Sequence, residues 1–269
     1  MQYLFYIALM PVLIYVILAI LFFLFQKRFI FLPRFKIFAT PADIRIKYEN
    51  VDLTSSDGTH VNGWFVPATG AQYTVLFCHG NGGCLAHRVD VVEQFHGMGV
   101  NFFIFDYRGY GVSGGEISEP GFYQDATAAW NYLRHDKSIP AEQIFIVGRS
   151  MGGAVAAQLA ATQTPAGLVL ENSFLSLPEA GHDQYPFFPV RHLSRYRFLT
   201  KDFILEAKCP VQLICSVDDK IVNVRHSRRL FELVATDKFL TELSGSHNDC
   251  YFQCAAQYTA ALKSFFTTK

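Results

Sequence analysis

The chain has 269 residues, with 23 lysines and arginines balanced by 23 aspartates and glutamates. Zero net charge without a basic block argues against a nucleic-acid partner, and the length fits one domain, or one domain plus an anchor. Hydrophobic residues make up 51% of the chain, and much of that excess lies at the N-terminus.

Residues 1–26 contain no charged side chain. The stretch 3–25 is long enough to cross a bilayer as a helix, and Pro11 is tolerable within it. A cleaved signal peptide wants a basic start, a shorter apolar run and a small-residue cleavage site; here the run ends Leu21-Phe22-Phe23-Leu24-Phe25. The expectation is an uncleaved transmembrane anchor over 1–26, a juxtamembrane linker over 27–43 and a folded domain over 44–269, with the lipid bilayer as a partner. Lys27, Arg28, Arg34 and Lys36 follow the apolar run, which by the positive-inside rule puts the C-terminal domain in the cytoplasm. Cys78 and Cys215 read as apolar core fillers. Cys84, Cys209, Cys250 and Cys254 show neither metal-ligand spacing nor a disulfide framework. Cys250 and Cys254 are expected on one helix face, and no Asn-x-Ser/Thr sequon occurs.

The basic, aromatic stretch 29–40 is expected at a membrane surface. Residues 44–66 alternate around Ser56-Asp57-Gly58-Thr59, a pattern that predicts a β-hairpin. An apolar strand over 73–78 runs into His79-Gly80-Asn81-Gly82-Gly83, and another over 101–105 runs into Asp106-Tyr107-Arg108-Gly109-Tyr110-Gly111. Asp106 and Arg108 read as a packed pair, Ser113 as an ordinary loop serine, and 119–136 as a helix. The run Ile144-Phe145-Ile146-Val147 predicts a buried parallel strand and 153–161 a helix of small residues. Between them lies Gly148-Arg149-Ser150-Met151-Gly152. After a strand at 168–170, residues 174–206 interrupt the alternation with aromatic residues and prolines, as a lid insertion would. A strand at 211–215 leads into Ser216-Val217-Asp218-Asp219, a helix covers 223–235, and the last strand, 239–243, leads into Gly245-Ser246-His247. Strands alternating with helices predict a mostly parallel sheet with helices on both faces.

Gly-x-Ser-x-Gly between a strand and a helix is the nucleophile elbow of an α/β-hydrolase, and Ser150, an acid, then His247 is that fold's triad order. Asp219 is the favoured acid, with Asp218 its rival. In such a triad His247 takes the Ser150 proton and Asp219 holds the imidazole. Backbone N–H groups of Met151 and Asn81 are the candidate oxyanion hole. A phosphate-binding reading of the glycines at 80–83 lacks the required Gly-Lys-Ser/Thr. No metal or organic cofactor is required.

Together with Glu171-Asn172-Ser173-Phe174-Leu175-Ser176, Phe187-Phe188-Pro189 and His247-Asn248-Asp249, these stretches resemble the α/β-hydrolase domain-containing protein 13 group and its bacterial single-pass relatives, over nearly the whole chain. That group's pattern puts its acid in a Gly-x-x-Asp turn, which falls on Asp219 with Ser216 in the glycine's place. The resemblance implies a serine hydrolase. A looser likeness to protein depalmitoylases implies acyl ester or thioester substrates. The group's eukaryotic member is drawn with its domain outside the cytosol, against the charge reading, so orientation stays open here. A serine peptidase or amidase and a non-catalytic hydrolase-fold binding protein are the other readings, since fold alone does not decide activity.

Overall fold

The computed structural model describes residues 2–268. Strands β1 (Glu49–Thr54), β2 (His60–Val66), β3 (Thr74–Cys78), β4 (Asn101–Phe105), β5 (Ile144–Arg149), β6 (Gly167–Glu171), β7 (Val211–Ser216) and β8 (Lys238–Leu243) form one sheet. Their spatial order is β8-β7-β6-β5-β3-β4-β2-β1. β2 pairs antiparallel with β1 and β4, and every other pairing is parallel. The expected hairpin and each expected strand are present.

Period-two alternation explains why this sheet is covered twice. Leu76 and Cys78, Phe103 and Phe105, Ile146, and Leu168 and Leu170 point into one core. Val75 and Phe77, Phe102 and Ile104, Val147, and Val169 point into the other. A strand buried on both faces must be apolar at every position, hence the continuous runs. The first core is closed by α3 (Glu119–Asn131), α4 (Met151–Thr162), α7 (Thr200–Glu206) and α8 (Arg225–Leu233). The second is closed by α2 (Val89–His96) and α10 (Ala255–Thr267).

The N-terminal helix α1 (Gln2–Ile30) has non-helical torsions at Phe25. Its span Leu9–Ile30 is long and apolar enough to cross a membrane, and most of its large apolar side chains from Leu9 to Leu24 are exposed. The stretch expected as a linker packs into the body. Phe31 is buried in edge-to-face contact with Phe122, Tyr196 and Phe198, and Leu32–Pro33 forms a parallel ladder with Gly82–Gly83.

Residues 174–206 hold α5 (Leu177–Gln184), α6 (Val190–Leu193) and α7. This excursion is tied to α1. Gln26 donates to the Leu193 carbonyl at 2.7 Å and accepts from the Arg195 N–H at 2.8 Å. Phe188 packs edge-on against Phe22 and Tyr15.

Three local expectations are corrected. The helix read over 119–136 is α-helical to Asn131 and ends in a wider π turn, Tyr132–Asp136. Cys250 and Cys254 do not share a helix: α9 (Cys250–Gln253) stops where Cys254 leaves helical torsions. Asp106 and Arg108 are not partners. Arg108 pairs with Asp125 at 2.8 Å and with Asp57 of the hairpin turn at 2.6 Å. Loop residues two positions apart whose side chains diverge meet different elements, which pattern alone does not reveal. Asp125 is buried and also accepts from Ser55 Oγ at 2.6 Å and the Arg108 N–H at 2.8 Å, so one carboxylate joins hairpin, loop and α3. Asp125→Ala leaves the Arg108 guanidinium buried without its main partner and is expected to cost about 3–5 kcal/mol. Urea denaturation measures this, and a loss under about 1 kcal/mol, ordinary for a surface pair, would remove the junction's importance.

Candidate active site

Ser150 stands at the C-terminal end of β5, where the chain turns into α4, with φ 54° and ψ −119°. That region is unfavourable for a side chain-bearing residue, so the surroundings must hold it. The Ser150 N–H donates to the Glu171 carbonyl at 2.7 Å, and its own carbonyl accepts from the Ser173 hydroxyl at 3.1 Å. Glycines on either side admit the close packing. A Cβ on Gly152 would stand 2.0 Å from the Cys78 carbonyl oxygen, and one on Gly148 would stand 2.4 Å from the Gly152 carbonyl oxygen.

Beneath the elbow lies a buried ion pair that the sequence reading missed. Arg149 Nε donates to Glu171 Oε2 at 2.7 Å, the Tyr258 hydroxyl donates to the other carboxylate oxygen, and the guanidinium lies 3.8 Å from the Tyr251 ring centre. Glu171 raises the Arg149 pKa against the opposing effect of burial, which is the largest single influence. Arg149 and Glu171 each stood in a quoted motif with no role attached, and Tyr251 and Tyr258 stood in none.

Asp219 and His247 meet although 28 positions apart: His247 Nδ1 lies 2.5 Å from Asp219 Oδ2. The other Asp219 oxygen accepts from the N–H groups of Ile221 and Val222 at 2.8 and 2.9 Å. Both side chains are buried. Asp218, the rival acid, turns away and accepts from the Gly245 N–H at 3.0 Å.

Asn172 is a second missed residue. It has φ 43°, donates to the His247 carbonyl at 2.8 Å and accepts from the Ser216 N–H at 2.8 Å. One amide thereby ties the ends of β6 and β7 to the histidine loop.

Ser150 and His247 line one cavity of about 880 Å³, and they are not hydrogen-bonded to each other in this structure. In unliganded hydrolases this contact is often long and tightens once substrate is bound. Asn81 and Met151 line the same cavity. A Cβ on Gly80 would stand 3.6 Å from Ser150 Cβ, so the turn after β3 runs directly beside the serine. The Asn81 side chain donates to the Ile30 carbonyl at the end of α1 and accepts from the Tyr110 hydroxyl at 3.0 Å. His79 is buried against Asp106, 3.3 Å away, and Asp106 also accepts from the Leu85 N–H at 3.0 Å. These contacts brace the turn from below. Of the aromatic residues in the 174–206 excursion, Phe174 and Tyr185 line the cavity, whereas Phe187 is exposed and Phe188 faces α1.

The strand order, the serine elbow on β5 and the facing histidine and aspartate loops define an α/β-hydrolase. The family model described as serine aminopeptidase, S33, matches residues 69–203, half of the chain, and the chain belongs to that family. It is 33% identical over 245 residues to the Mycobacterium tuberculosis protein Rv2307c, covering 90% of this chain and 87% of the relative. It is 31% identical to the α/β-hydrolase domain-containing protein WAV2 of Arabidopsis thaliana, over 81% of this chain and 78% of that one. It is also 31% identical to bem46 of Schizosaccharomyces pombe, over 82% and 79%. The domain-containing protein 13 group that the motifs resemble is thus where its relatives lie. The esterase Pf2001 of Pyrococcus furiosus shares the fold, with a TM-score of 0.75 at 21% identity over 88% of this chain and 97% of the esterase.

Burial pushes the Cys215 thiol up to about 12 and the Cys250 thiol up to about 11. At pH 8 both remain protonated, and a protonated thiol is a poor nucleophile. Iodoacetamide at pH 8 is therefore expected to modify the half-buried Cys254 before Cys215 or Cys250. Peptide mass spectrometry reads this, and early modification of Cys250 would mean that the loop beneath His247 opens.

Proposed function

We propose that the protein is a membrane-anchored serine hydrolase that cleaves carboxylic ester or thioester bonds of acyl substrates. The observation that carries this reading is the Asp219–His247 contact at 2.5 Å beside a strained elbow serine in one cavity. His247, with Nδ1–H donated to Asp219, keeps Nε2 free to take the Ser150 proton as Oγ attacks the acyl carbon. The same proton then passes to the departing alcohol or thiol, and water repeats the sequence to release the acid. Asp219 fixes the tautomer and stabilises the imidazolium. The N–H groups of Met151 and Asn81 stabilise the tetrahedral oxyanion, at about 2.7–4 kcal/mol for one donor.

The acyl group is accommodated by Phe174, Leu177, Ala180, Tyr185, Ile221 and Val222, all on the cavity wall. An apolar helix whose end forms part of the same wall favours substrates that reside in a bilayer. Amide cleavage is the second reading, supported by the description of the matching family. Competition between acyl esters, thioesters and peptidyl amides of matched size separates the two.

Covalent labelling by a fluorophosphonate tests the triad. Ser150→Ala is expected to abolish labelling. His247→Ala and Asp219→Asn are expected to slow ester turnover on the order of 10²–10⁴-fold, while Asp218→Asn retains most of it. A larger loss in Asp218→Asn than in Asp219→Asn would reassign the acid. A folded wild type that stays unlabelled would favour a non-catalytic binding protein.

Lys27, Arg28, Arg34 and Lys36 cluster at and just past the C-terminal end of the apolar span, which supports a cytoplasmic hydrolase domain. A cysteine added at the C-terminus is expected to resist a membrane-impermeant maleimide on intact cells. Labelling from outside would reverse the orientation.

A further inference from the structure

The cavity has a second chemical character that the acyl reading leaves unused. Arg34, His87 and Arg88 line it together with the apolar residues. Arg34 follows the Leu32–Pro33 ladder strand, and its N–H donates to the Gly83 carbonyl at 3.1 Å. Arg88 ends the short helical turn Leu85–Arg88 and donates to the carbonyls of Gly82 and His87. Neither guanidinium has a carboxylate partner among the described residues, unlike Arg108, Arg149, Arg225, Arg228 and Arg229. The two guanidiniums both act on the neighbouring His87 ring. The His87 imidazole is held below its ordinary range by burial, then by Arg88 and Arg34. The Arg88 guanidinium is pushed down by burial, then by Arg149. Asp90 and Asp249 also line the cavity, accepting from the Val91 N–H at 2.8 Å and the Ser246 hydroxyl at 2.5 Å respectively; Asp90 and Asp106 act against the downward shift of Arg88 without forming an ion pair with it.

Topology separates this cationic wall from the apolar one. β5 lies between β3 and β6. Arg88 comes from the segment after β3, whereas Phe174 to Tyr185 follow β6 and Ile221 and Val222 follow β7. Ser150, at the end of β5, stands between a cationic side and an apolar side. Resting on the hydrolase reading above, we propose that Arg34 and Arg88 form a subsite for a phosphate carried on the leaving group, so that the substrate is an acyl ester with an anionic head. The ester then sits at Ser150, its acyl chain toward the lid and its phosphate toward the two guanidiniums, whose planar donor forks suit phosphate oxygens.

The test compares 1-acylglycerol 3-phosphate with 1-acylglycerol of the same chain, which differ only in the phosphate, using the full chain in detergent. The wild type is expected to show a kcat/KM ratio, phosphate ester over neutral ester, of roughly ten or more, and Arg34→Gln and Arg88→Gln are each expected to reduce that ratio roughly tenfold. Arg88→Lys is expected to keep part of it. Because Arg88 also holds the Gly82 carbonyl, Arg34→Gln, at an exposed position, carries the test if Arg88→Gln does not fold. A parallel pair, an acyl thioester of a phosphate-bearing thiol and of its uncharged analogue, separates a lipid head from a thiol carrier by whichever pair shows the larger ratio. Ratios near one for both pairs, with fluorophosphonate labelling of Ser150 intact, overturn the subsite and leave the hydrolase standing. Absence of both labelling and turnover overturns the hydrolase reading, and the subsite with it.

Discussion

The backbone at Ser150 occupies a conformation that costs free energy, and much of the surrounding structure serves to hold it there. A positive φ at a serine persists only when neighbours over-determine it. Here Glu171 and Ser173 grip the serine's N–H and carbonyl from β6 and the loop beyond it. The Cys78 carbonyl presses where Gly152 has no side chain. The elbow thus depends on three adjacent parallel strands ending at the same height, and a doubly covered sheet with apolar residues at every position supplies that rigidity.

The other site elements are held by polar groups. Asn172 couples the histidine loop to the sheet, the main-chain N–H groups of Ile221 and Val222 orient the Asp219 carboxylate, and Asp106 with His79 braces the turn after β3. Because the Asn81 amide reaches the last carbonyl of α1, and Gln26 joins α1 to the 174–206 excursion, the N-terminal helix is structurally part of the site's wall. A displacement of α1 would be felt both at the candidate oxyanion turn and at the cavity mouth.

Local chemistry made some of this legible before any fold was known. Continuous apolar runs announced strands buried on both sides, glycines flanking a serine announced a tight strand-to-helix turn, and a long uncharged N-terminal stretch announced a helix with nowhere to hide its side chains. These are properties of a few consecutive residues, and the sequence by itself determined them. The chain order of serine, acid and histidine added the candidate triad.

Contacts between residues far apart in the chain were decided only by tertiary structure. Nothing adjacent in sequence distinguishes Asp219 from Asp218; the two carboxylates diverge because the turn after β7 aims one at His247 and the other at Gly245. Arg108 looked like the partner of Asp106 because they are neighbours, yet its guanidinium reaches α3 and the hairpin instead. The ladder that brings Arg34 beside Arg88, and the strand order that sets their wall apart from the lid, also join distant segments. Hydrogen bonds and ion pairs act over a few ångströms and are indifferent to sequence distance. A linear pattern can therefore name the groups that do the chemistry, but only the folded chain decides which of them meet.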